Sequence, residues 1–162
     1  MDIQNRTISM ENLVPLLLLQ MKEGGRAKLT VTGHSMRPML FHQRDSVELT
    51  AVSQRQKKGD VVLYRRENGQ YVLHRIIAVT EKGYVCCGDN QYVREPVSHN
   101  QLLGVVDTFT RKGKVVSVAE LGYRLYTAAW VELFSLRRCY IPVRRCVGRL
   151  CQKIKNDRGN TR

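Results

Sequence analysis

The apolar positions change period twice along the chain. From about residue 9 to residue 25, leucines and neighbouring apolar residues recur at helical spacing around Pro15, Ser9 is placed to cap the start, and Gly24-Gly25 stops the run. This predicts a short N-terminal helix whose leucines form a core face. From Lys28 the period becomes two, with Leu29 and Val31 on one side and Thr30 and Thr32 on the other, a strand that runs straight into Gly33. Residues 46–50, 61–66, 71–79, 84–87 and 104–111 repeat that signature, and 115–118 does so more weakly. Between two of these runs, Asn68-Gly69 marks a hairpin, since both residues tolerate the positive φ of a tight turn. Short strands joined by turns, with no long helices between them, predict a mainly β domain of antiparallel or coiled form rather than a doubly wound one.

After Val118 the helical rhythm returns. Leu121, Leu125, Ala128, Ala129, Glu132, Leu133 and Leu136 share it until Pro142. A second run then sets Val143, Cys146, Val147, Leu150, Cys151 and Ile154 on one face and arginines and lysines around the rest. That is a basic amphipathic helix over 143–155, suited to an anionic membrane interface or an acidic partner. Its plainer reading is a helix docked on the β domain with a solvated basic face. The expected organisation is an N-terminal helix (1–26), a β domain (27–118), a helical extension (119–155) and a disordered tail (156–162).

Charge sharpens the picture of the C-terminus. Of 162 residues, 27 are Lys or Arg and 14 are Asp or Glu, a net charge of +13. Residues 137–162 hold nine of the basic residues and one acid, so most of the excess is local. The basic character therefore points to a polyanionic surface as partner rather than to a basic active site. The five cysteines, two of them adjacent, form no C-x-x-C pattern and read as free thiols of a reducing compartment. The longest apolar run, 13–19, has seven residues where a membrane span needs about twenty, and the start lacks the basic region of a signal peptide. A cytoplasmic location, with peripheral contact at the inner membrane face, is the resulting expectation.

The candidate chemistry begins at Thr32-Gly33-His34-Ser35-Met36-Arg37-Pro38. A serine hydroxyl is a poor nucleophile near neutral pH and needs a base within hydrogen-bond reach. His34 is adjacent, but neighbouring side chains of an extended segment point to opposite faces. His42 and His99 fall in polar loops. His74 lies inside Tyr71-Val-Leu-His-Arg-Ile-Ile-Ala-Val79, a run rich in β-branched residues that the Asn68-Gly69 turn folds against Val61-Val62-Leu63-Tyr64. A lone strand histidine is more often a satisfied core residue than a catalyst; Ser35 ahead of Met-x-Pro tilts the reading towards a base.

Four ordered boxes, Gly33-x-Ser35-Met36-x-Pro38, Gly59-Asp60-Val61-Val62, His74-Arg75 and Gly88-Asp89-Asn90, resemble the signal peptidase I superfamily, which includes the self-cleaving repressor peptidases. The resemblance covers about residues 31–95 and continues weakly through Gly104-Val105-Val106. It implies a coiled, mostly antiparallel β domain and a serine endopeptidase in which Ser35 attacks the scissile carbonyl. Some branches place a lysine base on this strand; His74 is similar to the histidine branch of archaeal and endoplasmic-reticulum members. In that branch an acid after Gly-Asp-Asn orients the imidazole, which by position is Glu95, with Asp89 the other candidate. The resemblance further implies Gly33, Ser35, Met36 and Pro38 at the oxyanion and substrate site. Gly33 stands where signal peptidases often carry a serine, so the oxyanion hole is expected to use backbone N–H groups beginning with that of Ser35.

On this reading the substrate is a signal, leader or precursor peptide, and neither cofactor nor metal is expected. The alternative is a non-catalytic or regulatory protein on the same scaffold, binding nucleic acid or an acidic partner. About 30 residues with one helix leave no room for a helix-turn-helix ahead of the domain. After Arg137 the tail has one aromatic residue, Tyr140, and little stacking surface, so no specific nucleic acid is expected.

Overall fold

The computed structural model describes residues 10–136. The anticipated 143–155 helix, the 156–162 tail, Ser9 and Cys139, Cys146 and Cys151 lie outside them. Helix α1 (Met10–Lys22) is followed by strands β1 (Ala27–Thr30), β2 (Ser46–Thr50), β3 (Val61–Arg65), β4 (Tyr71–Thr80), β5 (Gly83–Cys87) and β6 (Glu95–Ser98). A 3-10 turn (His99–Gln101) leads into β7 (Leu102–Arg111), β8 (Lys114–Ser117) and helix α2 (Leu121–Glu132). All strand pairs are antiparallel, in the order β1-β2-β7-β3-β4-β5-β6 with β8 on β7, and the sheet curls into a half-barrel. No helix among the described residues is long and apolar enough to cross a membrane.

Strand β3 lies deep in the sheet and is buried on both faces. Because strand side chains alternate, Val61 and Leu63 enter one core with Leu17 and Met21 of α1, while Val62 and Tyr64 enter a second core with Ile76, Tyr84 and Cys86. Burying an aliphatic side chain of this size contributes about 1.5–3 kcal/mol, so both faces hold the strand in register. The same alternation separates His74 from Arg75. His74 pairs with Val62 and Arg75 with Val61, which sends the two side chains to opposite faces.

Three expectations need correction. In α1 only Val14, Leu17 and Met21 are buried; Leu16 and Leu19 are exposed, because a single face of a surface helix meets the sheet. At the β3–β4 hairpin only Gly69 takes positive φ, 85°, and its N–H donates to the Arg66 carbonyl at 2.9 Å. The turn is thus a Glu67-Asn68 turn followed by a left-handed glycine, the three-residue loop rather than the two-residue one. Strand β6 has no counterpart among the predicted strands. Its Pro96 hides the strand signal, yet β6 is the last strand of the sheet, where a missing N–H is tolerated.

Candidate active site

Strand register brings the acid to the histidine. Ile76, Cys86 and Glu95 are cross-strand neighbours on β4, β5 and β6 and so share a face. His74, two residues from Ile76, lies on that face, and Tyr64 reaches it diagonally from β3. His74 is buried. Its Nδ1 is 3.2 Å from the Tyr64 hydroxyl and 3.6 Å from Glu95 Oε1. The Tyr64 hydroxyl donates to Glu95 Oε2 at 2.7 Å, and Arg66 holds the carboxylate from outside, Nε on Oε2 at 2.8 Å and Nη2 on Oε1.

These contacts set the charges. Burial pushes the His74 pKa down to about 4, the nearby Glu95 opposing this, so the imidazole is neutral near pH 7. Burial works against the Glu95 carboxylate as well, but hydrogen bonds from Arg66 and Tyr64 outweigh it and hold the group below the usual range. Burial, aided by the hydrogen bond to Glu95, raises the Tyr64 pKa and keeps its phenol protonated.

The other edge of the imidazole lies beside Gly88, which also borders the backbone carbonyl of Ser35. A Cβ on Gly88 would stand 3.0 Å from His74 Nε2 and 2.7 Å from the Ser35 carbonyl oxygen. Only glycine admits that approach. Asn90 then fastens the serine loop: its N–H donates to the Ser35 carbonyl at 2.7 Å and its side-chain amide to the His34 carbonyl at 3.2 Å. Among the described residues Ser35 Oγ has no hydrogen bond, so serine and histidine are neighbours across Gly88 rather than a closed pair. Nucleophile–base bonds are often open in unliganded sites. The N–H groups of Ser35 and Met36 also have no acceptor among the described residues.

Asp89 does not join this group. It is fully buried with both carboxylate oxygens on Arg75, at 2.8 Å each, and it accepts a third bond from the Tyr126 hydroxyl at 3.1 Å. Arg75 extends the cluster to the Gly59 carbonyl and to Tyr123 and Thr127 of α2. Thus three of the four sequence boxes meet at one ion pair beneath the site, and Asp89 anchors the Gly88-Asp89-Asn90 turn instead of orienting His74. Gly33 departs from expectation too. Its φ of 84° suits glycine, and its N–H is donated to His42 Nδ1 at 3.0 Å, so it is not free for an oxyanion. Met36 is buried beneath the cleft, and Pro38 lies half-buried in the following turn. His34 is exposed, with its ring edge against His42.

Ser35 and His74 line a cleft of about 690 Å³ that also includes Val31, Thr32, Tyr71 and Leu73. Strand β5 pairs with β4 only from Arg75 onward, whereas β3 pairs with it from Tyr71. Residues 71–74 therefore have a β neighbour on one side alone, and the cleft lies along the other. An unpaired strand edge of this kind accepts an extended peptide as an added strand. Tyr64, Arg66, Gly88, Asn90 and His42 were not foreseen as site residues. Tyr64 had a readable signal, since the hairpin turn sets it diagonal to His74, and Gly88 and Asn90 belong to the fourth box; Arg66 and His42 depend on where β6 and the loops pack. No protein-family model matches the chain, and no curated protein matches it.

Proposed function

We propose that the protein is a serine endopeptidase of the Ser–His type, similar to signal peptidase I, that cleaves a signal, leader or precursor peptide. The observation that carries this reading is the setting of His74: an acid backs its Nδ1 side, while its Nε2 lies beside Gly88, next to the Ser35 backbone carbonyl, and Ser35 and His74 line one cleft. The peptide lies extended along residues 71–74. Ser35 Oγ attacks the scissile carbonyl carbon as His74 Nε2 takes the hydroxyl proton. The N–H groups of Ser35 and Met36 receive the developing oxyanion. The imidazolium returns its proton to the leaving amine, and water attacks the acyl-serine by the same route in reverse. Glu95 stabilises the imidazolium, and Asp89 keeps the turn beside Ser35 in place through Arg75.

A serine-reactive phosphonate probe tests the nucleophile. Labelling is expected at Ser35, lost in Ser35→Ala and reduced at least a hundredfold in His74→Ala with the fold retained by circular dichroism. Equal labelling of Ser35→Ala would leave the scaffold reading, a regulatory or nucleic-acid-binding protein, in its place.

The anionic membrane remains the proposed peripheral partner, at the cytoplasmic face. Support comes from a part of the chain other than 143–155. On α2 the rhythm of Leu121 and Leu125, continued by Leu133 and Leu136, is the exposed side, whereas Tyr123 and Val131 turn inward. Lys57, Lys58 and Arg124 border Leu121 and Leu125 in one cleft, and the nine basic residues of 137–162 follow at once. Exposed leucines beside cations match an anionic lipid interface.

A further inference from the structure

The acid of this site stands too far from the imidazole for a hydrogen bond. Glu95 Oε1 is 3.6 Å from Nδ1, while the Tyr64 hydroxyl is within hydrogen-bond distance of both, 3.2 Å from Nδ1 and 2.7 Å from Glu95 Oε2. A phenol has one proton to give. An ionised carboxylate can only accept, so that proton goes to Glu95. The Tyr64 oxygen is then an acceptor towards Nδ1, and the bond between them requires hydrogen on Nδ1. A neutral imidazole with hydrogen on Nδ1 carries its lone pair on Nε2, the edge that faces Gly88 and Ser35.

We infer that Tyr64 is a positioning residue for the His74 base, its hydroxyl bridging Nδ1–H to the Glu95 carboxylate and so fixing the tautomer that leaves Nε2 free to accept the Ser35 proton. The chain of contacts runs His74 to Tyr64 to Glu95 to Arg66, and each link is built. Tyr64 is buried, its ring stands edge-on to the imidazole at 6.1 Å between centroids, and the two Arg66 bonds keep Glu95 from swinging away. When the imidazole takes a proton at Nε2, Nδ1–H stays donated to the same oxygen, and the charge faces Glu95 through one hydroxyl. No proton crosses Tyr64, and no bond other than those at Ser35 and the substrate is made or broken. The acid therefore acts on the base mainly through a neighbour.

This inference rests on the peptidase reading for its consequence, but its first readout does not. In ¹⁵N-labelled wild-type protein at pH 7, the His74 ring nitrogens are expected to show a protonated Nδ1 and an unprotonated, pyridine-like Nε2. Tyr64→Phe, which keeps the buried ring, is expected to lose that pattern to a mixture of tautomers or to the Nε2–H form. The same variant is expected to lower kcat ten- to hundredfold with KM within twofold, since the peptide edge is untouched. A wild-type Nε2–H tautomer overturns the proposal whatever the variant does. So does a Tyr64→Phe protein that keeps both the wild-type nitrogen shifts and the wild-type kcat. If the tautomer behaves as stated but Ser35→Ala is labelled like wild type, the bridge stands and the peptidase reading falls. If labelling requires Ser35 and His74 while Tyr64→Phe changes nothing, the reverse holds.

Discussion

At the scale of single residues, two positions test the proposed site: the charged side chain of Glu95 and the absent side chain at Gly88. Glu95→Gln keeps the size of the acid and removes its charge, which on the proposed reaction leaves the imidazolium without a counter-charge. Turnover of a cleavable peptide is expected to fall about 10²–10⁴-fold. Unchanged turnover would assign the stabilisation elsewhere. Gly88→Ala adds a methyl group that would stand 2.7 Å from the Ser35 carbonyl oxygen and 3.0 Å from His74 Nε2. Backbone must move to admit it, at about 1–3 kcal/mol. The urea midpoint should drop accordingly, and probe labelling of Ser35 should drop further than stability alone explains. Wild-type labelling in this variant would mean that serine and histidine do not meet at Gly88.

At the scale of elements, α2 is a helix with two unlike faces. Its inner face meets the Arg75–Asp89 pair through the hydroxyls of Tyr123, Tyr126 and Thr127. Burial alone would disfavour the guanidinium charge, but Asp89 more than restores it. Removing one partner of such a buried pair strands the other, which costs about 3–5 kcal/mol. Asp89→Asn is therefore expected to lower the unfolding free energy by that much, read from the shift of the urea midpoint, while Tyr126→Phe removes the hydrogen bond to Asp89 and costs about 1 kcal/mol. A small effect for both would mean that water reaches the pair. The outer face supplies a separate test. Leu121→Ser with Leu125→Ser should reduce sedimentation with anionic vesicles at least tenfold, as should removal of residues 137–162. Binding that survives the leucine changes would locate the lipid contact in the terminal segment alone.

At the scale of the whole molecule, stability and activity share a dependence on acid. His74 titrates near 4 in the folded chain and near 6.5 when unfolded, so the unfolded state binds more protons between those values. Stability contributed by this group is complete above pH 6.5 and is lost as pH falls to about 4, a change of about 3 kcal/mol. Glu95 and Asp45, both held below the carboxylate range, add losses at still lower pH. The guanidinium midpoint should fall from pH 7 to pH 4, more shallowly in His74→Gln, and the acid limb of turnover should lie near 4 rather than 6.5. An acid limb at 6.5 would indicate a solvated base. Much of this architecture is legible in sequence because alternation and turn residues are local: every strand except β6, the His74 hairpin and the order of the four boxes could be read. Ser35 and His74 were legible as candidates because glycine, serine and histidine leave spaced marks, whereas Glu95 and Asp89 entered only through what the resemblance implies. The choice between Glu95 and Asp89 was not legible, since one acid lies in the Gly88-Asp89-Asn90 turn and the other only six residues further on. Strand register places Glu95 on the face of His74, and the turn after β5 packs Asp89 against Arg75 on the opposite face. The apolar rhythm of 121–136 likewise foretold a helix but not which side would be covered. A pattern along the chain determines which residues share a face; only packing determines what that face meets.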